Sequence, residues 1–294
     1  MTPDILCIGA VLWDIIGRTP APMAAGQDVP GRITRLPGGV ALNIAMTLAR
    51  MGMRPAALCA IGRDGAGEEL AAACTEMGID MALAHRSDDP TDVYMAIEGG
   101  NGLIAAIADA HSLERAGAAI LAPLMDGRLG RDAAPYWGMI ALDGNLTTDL
   151  LAQIAASPAF ACADLRLAPA SPGKAERLAP LLPHPKATLY VNLIEANILA
   201  GGSHVTALAA ANALISKGAR RVLVTDGGNP CALAGQGIAP LTAQPPSITA
   251  RRITGAGDTF MAAHIAAEAR GQWGEIALQA ALAAAAAYVS GVDP

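Results

Sequence analysis

Short aliphatic runs alternate along this chain with longer stretches in which apolar residues return every three or four positions. The pairs are ILCIG then ALNIAMTLARMG, PAALCAIG then GEELAAACTEMG, WGMIALDG then TTDLLAQIAA, and ATLYVN then EANILAG, with RRVLVTDGG near the end. A short run that is apolar throughout suits a strand buried on both faces, whereas the longer period is that of an amphipathic helix. The alternation predicts βαβ units, hence an α/β fold with a doubly wound, mostly parallel sheet and helices on both faces. Gly52, Gly78 and Gly218 each follow a periodic segment, where a left-handed residue would end a helix.

Two segments break this rhythm. Residues from about 15 to 36 are rich in Pro, Gly and isolated apolar positions, and Thr91 to Asp109 carry two strand-like runs around a Gly-Gly-Asn-Gly turn. Together they predict a small β-sheet that would serve as a lid over a substrate site. No repeat or low-complexity linker divides the chain, so one domain spanning 1–294 is expected, with the lid formed by about 15–36 and 91–109.

Composition narrows the partners. Hydrophobic residues make up 53% and charged residues 16% of 294, which excludes a disordered chain. A net charge of −6 with no dense Lys/Arg run counts against nucleic acid and leaves a small molecule as the expected partner. Cys7, Cys59, Cys74, Cys162 and Cys231 lack CxxC spacing and read as reduced, mostly buried thiols. The N-terminus reads as a strand and not a secretory leader. The apolar run Ile276 to Val289 falls short of the ~20 residues of a membrane span. A cytoplasmic location with no membrane partner is therefore expected, and a homodimer stays open.

The chemistry concentrates in four places. In TGAGDTF, Thr254 to Phe260, Gly255, Ala256 and Gly257 could turn their backbone N–H groups toward an anion at a helix N-terminus, with Asp258 accepting a proton from an attacking hydroxyl. An Asp capping a helix after a glycine turn explains the same residues. In LPGGVALNIAMTLARMG, Gly38 and Gly39 would let a ligand touch the backbone, and Asn43 offers donor and acceptor to a sugar diol; a glycine turn with a local Asn cap is the alternative. Asp14, expected at the end of the first strand, could accept two sugar hydroxyls or merely end the strand. Asn192 and Glu195 have the spacing of a capping box, and equally of a pair serving nucleotide phosphates and magnesium-bound water. Thr225 and Gly227 end a buried strand where a nucleotide could lie. Walker-type, dinucleotide, GxSxG and HExxH motifs are absent, and His85, His111, His184, His204 and His264 have no metal-ligand spacing.

In chain order, GxxxxD (Gly9 to Asp14), GGxxxN (Gly38 to Asn43), NxxE (Asn192 to Glu195) and TGAGD (Thr254 to Asp258) resemble the ribokinase-like, or PfkB, family of carbohydrate and nucleoside kinases nearly end to end. The resemblance implies a doubly wound α/β domain with a small β lid, and ATP and Mg²⁺ as nucleotide and metal. It implies that Asp14, Gly38, Gly39 and Asn43 hold the sugar, and that Asn192, Glu195, Thr225 and Gly227 serve the nucleotide, Glu195 reaching the metal through water. It also implies that Gly255, Ala256 and Gly257 form the anion hole and that Asp258 is the base. Within the family, AAIADAH (Ala105 to His111), LDGNLTTDLL (Leu142 to Leu151) and SPGKAERLAPLL (Ser171 to Leu182) are similar to pseudouridine kinases. Other acceptors (ribose, adenosine, a hexose) and a non-catalytic sugar or nucleoside sensor are the alternatives. Two positions depart from the pattern. Leu12 stands where many sugar kinases carry a polar sugar ligand. Arg252 stands where many carry an Asp, which counts against the monovalent-cation site many relatives have.

Overall fold

All four side chains of the first strand, β1 (Ile5–Ile8), are fully buried, and they alternate between two cores. Leu6 and Ile8 pack into one hydrophobic cluster, Ile5 and Cys7 into the other. A strand with this burial must lie inside a sheet covered on both sides. The computed structural model describes residues 2–252 and 254–291 and shows that arrangement.

From β1 the chain enters β2 (Leu12–Arg18) and returns as β3 (Arg32–Gly38) into helix α1 (Val40–Arg50). Next come β4 (Pro55–Leu58), β5 (Ala60–Gly62), α2 (Gly65–Glu76), β6 (His85–Ser87), and the hairpin β7 (Val93–Gly99) and β8 (Gly102–Asp109). Two short helices, α3 (His111–Ala116) and α4 (Ala122–Met125), precede β9 (Met139–Asp143), α5 (Thr148–Ala156) and β10 (Asp164–Ala168). The chain continues through a 3₁₀ segment (Pro172–Leu181), β11 (Ala187–Asn192), α6 (Leu193–Ala200), α7 (Ala207–Ser216) and β12 (Arg221–Asp226). It closes with β13 (Asn229–Gly235), β14 (Ile238–Ala243), α8 (Ala256–Ala269) and α9 (Glu275–Val289).

The described residues form an eight-stranded sheet in the order β14-β13-β12-β11-β10-β9-β1-β4. The ladders from β12 to β4 are parallel. Helices α5, α6 and α7 supply one core, and α1, α2, α8 and α9 the other. Gly52, Gly78 and Gly218 have φ of 85°, 83° and 105°, the left-handed geometry of helix ends. The β12–β13 and β13–β14 ladders are antiparallel, which the βα alternation did not predict. Their connections, around Gly227-Gly228 and Gln236-Gly237, are too short for the crossover a parallel pair needs.

A separate four-stranded sheet in the order β3-β2-β7-β8 stands outside the main sheet. Part of it faces solvent with large apolar side chains: Ile33 is 78% and Ile107 is 70% exposed. No helix among the described residues is long and apolar enough to cross a membrane.

Candidate active site

The carboxyl ends of β1 and β9 meet the first turn of α1, which packs against α8. The frame of the site is Asp143, the last residue of β9 and fully buried. Its Oδ2 accepts hydrogen bonds from the backbone N–H of Ala10 (2.9 Å) and Ala41 (3.0 Å), and its Oδ1 accepts one from Asn145 (2.8 Å). Those donors offset the cost of burying a carboxylate, although burial still pushes its pKa upward. Gly9, with φ of 148°, passes so close that a Cβ would sit 2.3 Å from the Asp143 carboxyl carbon. Asp143 sits in the stretch Leu142 to Leu151, where no sequence motif assigns it a role. Its signal was an acid closing a wholly apolar strand. Next to it, Lys174 Nζ donates to Asn145 Oδ1 at 2.7 Å.

Gly38 and Gly39 are required by internal packing. A Cβ at Gly38 would come within 2.1 Å of the Asp14 carboxylate, and one at Gly39 within 2.4 Å of the Ala10 carbonyl oxygen. Their absence lets Asp14 and the end of β1 close onto the start of α1. Asp14 lies in β2, within the small sheet, and not at the end of the first strand as expected. The reason is local: the chain leaves the main ladder at Gly9 and pairs again with β3 and β7. Burial raises the pKa of Asp14 to about 6.

Asp258 is the third residue of α8, and Gly255, at φ of 88°, is its N-cap. Gly255 O accepts from Thr259 N–H at 3.0 Å, so the N–H groups of Ala256, Gly257 and Asp258 have no carbonyl one turn back within the helix. Asn43 Nδ2, on α1, donates to Asp258 Oδ2 at 2.9 Å across 215 residues of sequence. Burial raises the Asp258 pKa to about 7. The Asn43 bond opposes that rise, and the carboxylates of Asp143, Glu195 and Asp14 add to it. Asp14, Asn43, Glu195 and Asp258 are thus brought into one electrostatic neighbourhood, with the Gly255 to Gly257 backbone at its floor.

Asn192 and Glu195 form a complete capping box on α6. Glu195 N–H donates to Asn192 Oδ1, and Asn192 N–H donates to Glu195 Oε2, both at 2.9 Å. Glu195 is only 7% exposed, and burial raises its pKa. Thr225 is the register partner of Asn192 on the adjacent strand, and Gly227, at φ of 55°, turns β12 into β13 just beyond. Among the described residues no group of three or more His, Cys, Asp or Glu could enclose a metal ion. One buried carboxylate with a single committed oxygen fits a Mg²⁺ that keeps most of its waters. A shallow depression of about 650 Å³ beside α6, lined by Ile194, Asn197, Gly202 and Val205, shares no residue with this cluster.

The pattern of the pfkB family of carbohydrate kinases matches residues 2–293. The chain is 31% identical over 146 residues to an uncharacterized sugar kinase of Escherichia coli, covering 49% of this chain and 39% of that one. It is 30% identical over 100 residues to a pseudouridine kinase of Arabidopsis thaliana, covering 34% and 26%. The matches thus span well under half the length of either curated relative. Among solved structures, a carbohydrate kinase from Agrobacterium tumefaciens superposes with a TM-score of 0.78 at 28% identity, covering 97% of this chain and 90% of that one. A ribokinase of Arabidopsis thaliana, complexed with ribose and ATP, shares the fold with a TM-score of 0.74 at 21% identity over 98% and 93%.

Proposed function

Because the chain belongs to the pfkB family of carbohydrate kinases, we propose that it transfers the γ-phosphoryl group of ATP to the primary hydroxyl of a ribosyl compound, pseudouridine. The observation that carries this reading is Asp258. It is a carboxylate at a helix N-terminus, fixed by Asn43, with a pKa near 7 and three backbone N–H groups beside it. A capping Asp needs neither the remote amide partner nor the surrounding carboxylates.

In this reading Asp14, Asn43 and the Gly38-Gly39 backbone hold the ribose hydroxyls. Asp258 takes the proton of the attacking hydroxyl as its oxygen bonds to the γ-phosphorus and ADP leaves. The Gly255, Ala256 and Gly257 amides neutralise charge on the transferring group without reorganising. Asn192, Thr225 and Gly227 line the nucleotide, and Glu195 would hold Mg²⁺ through water. When bound, that metal supplies positive charge to the phosphates. The small sheet acts as a lid and excludes water, which would otherwise accept the phosphoryl group. Pseudouridine is favoured by the curated relative from Arabidopsis and by the resemblance of residues 105–111, 142–151 and 171–182.

The deciding measurement is ADP release with pseudouridine, uridine, adenosine and ribose as acceptors. Stimulation by pseudouridine above the others is expected. Stimulation by ribose or adenosine alone would move the substrate elsewhere in the family, and nucleoside binding without turnover at any Mg²⁺ concentration would make the protein a sensor. Asp258→Asn should lower kcat by roughly 10² to 10⁴ while the fold survives.

A further inference from the structure

The anion-hole loop is fastened to the end of α9 by side-chain and backbone hydrogen bonds. Tyr288, in the last turn of α9, accepts a hydrogen bond at its carbonyl oxygen from Arg252 Nε (2.7 Å), and its ring carries the Arg252 guanidinium 3.7 Å from the ring centre. The Tyr288 hydroxyl donates to the Thr254 carbonyl oxygen at 2.9 Å. The backbone N–H groups of Arg251 and Arg252 donate to the Val289 carbonyl oxygen at 2.9 and 3.2 Å. Gly255, the residue that opens the anion hole, lies so close that a Cβ on it would be 2.6 Å from the Tyr288 hydroxyl.

Two carbonyl oxygens that serve this short loop, of Tyr288 and Val289, close the C-terminus of α9, where the backbone dipole is negative. Such a place attracts a cation. The protein supplies one covalently: the Arg252 guanidinium, stacked on an aromatic face and bonded to the helix end. We propose that Arg252 is a positioning residue, an internal fixed cation that with Tyr288 holds the anion-hole loop in its working conformation and makes turnover independent of dissolved monovalent cations. The inference rests on the kinase reading of the same loop.

The test compares the wild type with Arg252→Met, Arg252→Lys and Tyr288→Phe in chloride salts of potassium, sodium and choline. The wild type should turn over at the same rate in all three. Arg252→Met should lose roughly 10- to 100-fold in kcat, the scale of a small misplacement of a catalytic group, with the nucleoside KM within about twofold. Potassium or sodium should restore part of that loss and choline none. Arg252→Lys should keep more activity than Arg252→Met. Independently of activity, amide hydrogen exchange across residues 254–258 should quicken in Arg252→Met and Tyr288→Phe and stay unchanged in the central strands. A wild type that requires potassium, or an Arg252→Met that keeps native kcat and slow loop exchange, overturns the proposal. So does a loss of kcat that no cation restores. A wild type with no kinase activity would instead overturn the functional reading beneath it.

Discussion

Under the proposed function, Asp258 ties chemistry to proton affinity. A carboxyl whose pKa rises from 3.8 to about 7 is protonated in more of the free protein as pH falls, so kcat/KM should drop on the acid side with a midpoint near 7. Asp14, raised to about 6, lies in the same field, so the limb belongs to the pair and should be broader than a single titration. Initial rates from pH 5.5 to 9 at low nucleoside would show it; a flat profile would contradict it. Stability carries the opposite sign. The native state holds this proton more tightly than the unfolded chain, so the contribution of Asp258 falls as pH rises from about 4 to about 7. Asp258→Asn should therefore be more stable than the wild type in urea denaturation at pH 8, by about 1–2 kcal/mol, and lose that advantage below pH 4. The motif residues were legible in the sequence because glycine, amide and acid recur there at fixed spacing. Asp143 carries no motif because two of its three backbone partners, Ala10 and Ala41, lie more than a hundred residues away, and no local spacing records them.

The elements show where pattern reading succeeds and where it fails. α6 is announced by Asn192 and Glu195, and its capping box is complete. Asn192→Ala should cost about 1 kcal/mol of stability in thermal or urea melts. Glu195→Gln keeps an acceptor for the Asn192 N–H and should leave the melting temperature nearly unchanged while raising the Mg²⁺ needed for half-maximal rate. An unchanged Mg²⁺ requirement would reduce Glu195 to its cap. β10 escaped the sequence reading because Asp164 and Arg166 interrupt its apolar run. Arg166 is buried at the centre of the sheet, where it donates to Asp164, to the Tyr190 hydroxyl and to Glu268 of α8. Glu268 also accepts from Arg221, and the attraction of these two guanidiniums outweighs burial to hold its pKa down. His264 beside it is pushed down to about 3 by burial and stays neutral. Glu268→Ala should destabilise by about 3–5 kcal/mol, since it removes the buried carboxylate that Arg166 and Arg221 share, and urea denaturation would measure it.

At the scale of the molecule, the doubly wound sheet was readable because most of its parallel strands, β10 apart, are largely apolar runs and the helices between them keep their period. The antiparallel edge was not, since β13 and β14 share the composition of parallel strands and only their connections set their direction. The small sheet carries Asp14 into the field of the carboxylate cluster, so under the proposed function its position and substrate binding are linked. Pseudouridine should slow amide exchange across residues 93–109, and Asp14→Ala should abolish that protection. Asp143 has one more consequence, for the order in which the molecule assembles. Residues 10 and 41 leave the ribosome about a hundred residues before the carboxylate that aligns them, and Asn43 precedes Asp258 by 215 positions. Contacts this distant pay a large loop-closure entropy and form slowly. Recovery of catalysis in a refolding experiment should therefore lag behind recovery of helical signal, the active centre being the last part of the chain to mature.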